Sequence, residues 1–358
     1  MAGIYVHIPF CKKRCLYCDF FSTTLLERRE EYVEALLCEI TARRKEVKEP
    51  VKTIYIGGGT PSTLTAEDIG RIIETIGAKE AEEITMEINP GDATPDYLRA
   101  LRAAGVNRLS IGIQSFQDYL LKLIGRRHTA VQAIEAVHWA QEAGFDNISI
   151  DLMYALPMQT PQVWMRDLVV ALHLGVQHIS SYGLMYEEGT MLTKMRDNGL
   201  IKPVDEDTEI KMYDQLCKHL KNGGFVHYEV SNFALPGYES KHNSNYWNGT
   251  PYIGVGAGAH SYVGKIRSWN PDDVEAYIQG IKDDTLQRES ETLTDTDLYN
   301  ERIMLGLRTS RGVPRKDIKA DIDHYLEAKV LEETEDGRIV ARRKGIHILN
   351  VIIEDLMI

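Results

Sequence analysis

Between positions 5 and 190, short apolar runs alternate with longer stretches in which apolar residues recur at helical spacing. The runs YVHIPF, TIYIGGG, EITMEINP, RLSIGIQS, NISIDLMYALP and HISSYGLMYEEGT predict six strands. Helical periodicity over 28–47, 66–76, 95–104, 131–142 and 163–174 predicts the connections between them. Such alternation implies βα units and a parallel sheet. Six repeats point to an α/β fold, a partial (β/α)6 barrel. Many of the strands end in polar or glycine-rich residues, which places a candidate site at their C-terminal edge.

Beyond the sixth strand the rhythm breaks. HNSNYWNGTPY and the glycine-rich GVGAGAHSYVG read as a loop-rich extension. From 295 the pattern becomes a helix to 308, a second helical stretch over 315–329, a hairpin centred on Asp336-Gly337 and a final apolar helix. That order outlines a C-terminal winged-helix-like α+β module. The expected units are a barrel over 1–225, an extension over 226–285 and the module over 286–358, with the last boundary in the polar stretch 282–291.

Composition narrows the class. An apolar fraction of 43% and a charged fraction of 26% fit a soluble globular protein. No apolar run reaches the length of a membrane span, and the N-terminal segment lacks the pattern of a secretory signal, so a cytoplasmic location is expected. Peripheral association with a membrane would follow only from membrane-bound partners. The net charge of −12 argues against non-specific nucleic-acid binding, which needs a basic face. Five cysteines in 358 residues are too few for a disulfide scaffold.

Three of the five, Cys11, Cys15 and Cys18, fall within eight residues directly after the first strand. That spacing lets one loop wrap a compact soft metal centre. A [4Fe–4S] cluster held by three cysteines keeps one iron free of protein ligands. That iron can chelate the amino and carboxylate groups of S-adenosylmethionine (SAM), and an electron passed into the sulfonium cleaves it to methionine and a 5′-deoxyadenosyl radical. The other reading is a zinc site completed by His7 or Asp19. Cys38 and Cys217 stand at helical spacing among apolar residues and read as core packing.

The run YVHIPFCKKRCLYC resembles the CxxxCxxC loop of the radical SAM superfamily, in its anaerobic coproporphyrinogen-oxidase-like branch, and the resemblance extends from Tyr5 to the C-terminus. It implies a SAM pocket built from strand ends. Gly58, Gly59 and Thr60 of GGGTP correspond to the contacts for the SAM amino group, and Glu87, Gln114, Arg126 and Asp151 to further contacts. Tyr5 and Tyr17 would flank the cluster, and Met185 would line the far side. His7, inside the same match, is expected to orient the cluster loop by a hydrogen bond.

Two features separate the relatives. In the branch's coproporphyrinogen dehydrogenases the loop resembles CxxxCxxCxC and a long segment precedes the HIPFC strand; here Phe20 stands at the fourth position and four residues precede Tyr5. The segment His242-Asn243-Ser-Asn-Tyr246-Trp247 resembles the HNxxYW motif of the branch's heme chaperones. A histidine can ligate heme iron and aromatic rings can stack on a porphyrin, so His242, Asn243, Tyr246 and Trp247 are the expected heme residues. The resemblance implies a [4Fe–4S] cluster, SAM and heme as cofactors. It also implies an acceptor haemoprotein, of the respiratory chain, as partner and a homodimer as a possible assembly. Oxidative decarboxylation of coproporphyrinogen III remains the alternative. A cluster-containing DNA-binding regulator, with Arg342-Arg343-Lys344 as a basic wing, is a third class.

Overall fold

The computed structural model describes all of residues 1–358. Strands β1 (Ala2–Ile8), β2 (Val51–Gly58), β3 (Glu83–Ile88), β4 (Arg108–Gln114), β5 (Ile148–Tyr154) and β6 (His178–Gly183) pair in sequence order, all parallel. Between them run α1 (Arg29–Arg43), α2 (Ala66–Ile76), α3 (Pro95–Ala103), α4 (Asp118–Leu123) with α5 (Ala130–Glu142), and α6 (Pro161–His173). Four of these helices start on threonine caps: Thr65, Thr94, Thr129 and Thr160 each accept from the backbone amide three residues on. A partial (β/α)6 barrel is the observed fold.

Each strand has two different faces. Ile54, Ile56, Leu109, Ile111, Ile150, Leu152 and Ile179 are buried in the layer shared with the helices. The alternate positions, among them Tyr55, Glu87, Arg108, Ser110, Asp151 and Ser180, face an interior cavity. Parallel strands covered on both faces ordinarily read as unbroken apolar runs. The period of two seen here marks a barrel whose inside is polar.

After α7 (Met191–Asp197) and α8 (Glu206–Asn222) the chain extends the sheet at both edges. β7 (Val226–Glu229) and β8 (Asn232–Ala234) add antiparallel beyond β6. Then α9 (Lys241–Asn248) leads into β9 (Tyr252–Val255), which lies parallel to β1, and into β10 (His260–Val263), β11 (Ile266–Trp269), α10 (Val274–Lys282) and β12 (Glu289–Thr292). The result is one twelve-stranded sheet. The segment read as a loop-rich extension is therefore sheet and helix, and the polar stretch 282–291 runs into β12 instead of separating two units.

The C-terminal module starts with α11 (Asp295–Leu307) and continues through β13 (Val313–Pro314), α12 (Asp323–Glu327), β14 (Leu331–Glu333), β15 (Arg338–Ala341), α13 (Arg343–Ile346) and α14 (Leu349–Leu356). Its three strands form an antiparallel sheet in the order β13-β15-β14, and Ile303, Leu307, Ile339, Ile352 and Leu356 belong to a core of its own. The basic wing is spent on ion pairs: Arg342 meets Glu332, and Arg343 reaches Asp214 on α8 at 2.7 Å. That second pair ties the module to the barrel and leaves little free charge for a phosphate backbone. No helix is long and apolar enough to cross a membrane.

Candidate cofactor-binding site

The cysteine loop leaves β1 and is held at three points. Its base is closed by backbone bonds from Thr23 N to Pro9 O (2.7 Å) and from Cys11 N to Thr23 O (2.8 Å). Its middle is anchored by Leu16, whose amide donates to Ile124 O (3.0 Å) and whose carbonyl accepts from Leu192 N (2.8 Å). His7 holds the return segment. Its Nε2 donates to the Phe21 carbonyl at 3.1 Å, which leaves Nδ1 to accept from the Tyr5 hydroxyl at 2.9 Å. Both ring nitrogens are thus used, and no three His, Cys, Asp or Glu side chains converge as a single metal ion needs. A zinc site completed by His7 or Asp19 does not fit this geometry.

Below the loop opens a cavity of about 540 Å³. Its wall brings together Cys11, Cys15 and Cys18 with Tyr17, Gly58, Gly59, Thr60, Glu87, Gln114, Arg126, Asp151 and Met185. Tyr5 is the exception: it is not part of this wall, and its ring stacks against Tyr55 with centroids 6.2 Å apart. The glycine turn lies directly on the cysteine loop. A Cβ on Gly59 would stand 2.8 Å from Pro9 O and 3.0 Å from Cys11 Sγ, so only glycine permits the approach. Gln114 reaches the cavity from a bulged position in β4 with φ of 72°, a conformation that costs a non-glycine residue about 1 kcal/mol or more.

Glu87 is pinned by two donors, the Tyr55 hydroxyl at 2.8 Å and the Gly58 amide at 3.1 Å, and so fixes the glycine turn as well as facing the cavity. Asp151 accepts from Ser110 at 3.2 Å. Arg126 donates to Cys15 Sγ at 3.5 Å and to the Gly112 carbonyl. Sequence reasoning missed Arg108, which is 1% exposed, lines the cavity and has its Nε buried without an acceptor. The signal was present, because Arg108, Ser110 and Gly112 share the period-two face of β4 that ends near Gln114.

The HNSNYW segment, expected as an open loop, is helix α9. Ser240 caps it by accepting from Asn243 N, Gly249 ends it in the left-handed conformation, and the Glu83 carboxylate receives the first amides, Lys241 N at 2.8 Å and His242 N at 2.9 Å. The helix packs against the N-terminal ends of β1–β3, across the barrel from the cysteines. His242 slides under Gly3, where a Cβ would stand 3.1 Å from the ring. It is 1% exposed, with Nδ1 bonded to Thr53 at 2.9 Å and Nε2 to Tyr246 at 2.9 Å. Burial, reinforced by the charge of Arg108, pulls its pKa down to about 3. The expectation that His242 offers itself to heme iron therefore fails in this conformation, since neither nitrogen is free. The four motif residues also part company. Asn243 lines the cavity below the cysteines, whereas Tyr246 and Trp247 line a second cavity on the other side of α9. Cys38 lies exposed on α1, contrary to its reading as core, while Cys217 packs partly buried against the core.

The Radical SAM superfamily profile matches residues 5–168. "Heme chaperone HemW" of Lactococcus lactis is 40% identical over 314 residues, covering 86% of this chain and 82% of the relative. The Bacillus subtilis protein of the same name is 37% identical and covers 88% and 86%. The chain belongs to the HemW family. Among solved structures the Escherichia coli coproporphyrinogen III oxidase HemN, a radical SAM enzyme, shares the fold with a TM-score of 0.83 over 99% of this chain and 90% of its own; at 23% identity the likeness is one of fold.

The radical SAM family membership of this HemW relative implies a [4Fe–4S] cluster and SAM, and the residues present suit both. Burial raises the Cys11 thiol and pushes Cys18 up to about 11. Such thiols are poor free nucleophiles, but bound iron supplies the positive charge that stabilises them as thiolates. Glu87 is pushed up to about 7 and Asp151 to about 6, in each case by burial first.

Both carboxyls hold protons more tightly folded than unfolded. Their contribution to stability is present below their ordinary values near 4 and is lost as pH rises through 6 and 7. Glu87→Gln is therefore expected to be more stable than the parent at pH about 8, with the difference shrinking towards pH about 5. Urea unfolding of the metal-free protein at the two pH values measures this. A gap that does not change with pH would contradict the assignment.

Proposed function

We propose that this HemW-family protein binds heme and hands it to an acceptor haemoprotein, with Cys11, Cys15 and Cys18 holding a [4Fe–4S] cluster over the barrel mouth. The observation that carries the reading is α9. One short helix contributes Asn243 to the cavity under the cysteines and Tyr246 and Trp247 to a second cavity. Occupancy of the first can thereby reach the second through a single rigid element. When bound on Cys11, Cys15 and Cys18, the cluster would supply a redox-active iron site for SAM at the cavity.

The chain's own residues do the remaining work. Gly58, Gly59 and Thr60 offer backbone and hydroxyl groups at the loop, held in place by Glu87. Arg126 and Arg108 supply positive charge to the same stretch of wall as Asp151, and Met185 stands at the cavity mouth, 69% exposed. Tyr5 acts from behind, through His7 and Tyr55. A respiratory-chain haemoprotein as acceptor, a homodimer, and peripheral contact with the membrane that houses such acceptors belong to the same proposal.

Parallel assays on the anaerobically reconstituted protein test it. Expected are a Soret band that saturates with added heme and no protoporphyrinogen from coproporphyrinogen III in the presence of SAM and reductant. Substantial protoporphyrinogen formation without heme binding would overturn the reading in favour of oxidative decarboxylation.

A further inference from the structure

The second cavity, about 750 Å³, lies between α9, the β10–β11 hairpin, α11 and the β13–β15 edge of the C-terminal module. That volume is within the roughly 300–1,000 Å³ of small-molecule sites. Its walls combine two chemistries. Tyr246, Trp247 and Tyr252 meet Leu298, Met304 and Leu305 as an aromatic and aliphatic surface, while Arg267, Arg302, Arg311 and Arg338 face only Glu301 and Asp317. Arg267 is committed to Glu291 and Glu301, and Arg302 to Asp317 at 3.4 Å. Arg311 and Arg338 have no carboxylate partner; Arg338 donates instead to the Arg311 and Gly312 carbonyls at 2.7 and 2.8 Å.

A flat apolar ring carrying two carboxylates on one edge matches this pairing of surfaces. Building on the heme-chaperone reading, we infer that heme is carried in this second cavity and not on His242. Its propionates would meet Arg311 and Arg338, its ring would lie along Tyr246 and Trp247, and the Met304 thioether would be the ligand offered to its iron. No histidine lines the cavity. A lone thioether is a weak iron ligand compared with imidazole, which suits a carrier that must release its cargo. The C-terminal module, which supplies Met304, Arg311 and Arg338, is on this account half of the binding site.

The test titrates heme, and separately metal-free protoporphyrin IX, into the full-length reconstituted protein and into Arg311→Glu, Met304→Leu and His242→Gln. Arg311 makes no ion pair and Met304→Leu preserves volume, so neither change threatens the fold. Arg311→Glu is expected to weaken both ligands about tenfold, the loss of one charge-assisted contact. Met304→Leu is expected to shift the heme Soret band and leave protoporphyrin affinity unchanged. His242→Gln retains the parent's Soret position. Unchanged affinity and spectrum in Arg311→Glu and Met304→Leu, with parent-like heme binding otherwise intact, would overturn the site alone. Absence of heme binding by the parent protein would overturn the chaperone reading together with it.

Discussion

Replacing Cys15 by serine is expected to reduce iron and sulfide in the reconstituted protein to background and to abolish its visible charge-transfer absorption. The loop offers three thiols and no fourth side chain to compensate: His7 is engaged on both nitrogens, and no other group converges. SAM affinity should fall roughly a hundredfold, the equivalent of about 3 kcal/mol of lost metal–ligand bonding. Heme affinity should fall by a smaller factor than SAM affinity, because the second cavity meets the one under the cysteines only through α9. Cys38→Ser and Cys217→Ser are the controls and should leave iron content unchanged. Iron analysis and SAM binding by equilibrium dialysis read both effects; retention of the cluster by Cys15→Ser would remove that residue from the ligand set.

The second large effect concerns a residue far from any cofactor. Glu39 on α1 is 1% exposed and holds together a buried network: Arg43 at 3.0 Å, the Tyr277 hydroxyl at 2.7 Å, the Gly256 amide at 2.8 Å and Asn270 at 2.9 Å. Beside it, Tyr32 donates to His7 O at 2.8 Å and accepts from Ala257 N at 2.9 Å. The glycine-rich segment 254–264 is thereby clamped to the end of β1, from which the cysteine loop departs. Glu39→Ala leaves Arg43 buried with one partner fewer and should cost about 3–5 kcal/mol. Urea unfolding should show the loss, accompanied by slower cluster reconstitution. A change below about 1 kcal/mol would mean that the network is solvated.

The parts legible in the sequence were those set by local rules. Strand and helix positions in the barrel followed from periodicity, and the helix expected over 66–76 coincides with α2. The cysteine spacing announced a metal loop because all three ligands lie on one short segment. What escaped depends on contacts between distant segments. HNSNYW looked like a polar loop because its apolar residues are few, yet Ser240 and Gly249 bracket it with the usual start and stop signals of a helix. Its burial could not be read locally, since it comes from Gly3, Thr53 and Glu83 on three other strands. Arg108 went unnoticed because a single arginine at a strand start looks solvated until the barrel closes round it. The expected boundary at 282–291 falls on β12, a polar edge strand exposed along its length that resembles a linker in composition, and the core of the C-terminal module begins past it in α11.

The central claim is that heme is cargo, and transfer is its most direct measure. The reconstituted protein, loaded with heme and freed of excess, is mixed with an apo-haemoprotein while the donor and acceptor Soret bands are followed in time. The account predicts movement of heme to the acceptor at a rate that rises with acceptor concentration, and faster in Met304→Leu. Heme that stays on the loaded protein over the same period would contradict it, whereas heme that leaves Met304→Leu no faster than the parent would overturn only the placement at Met304.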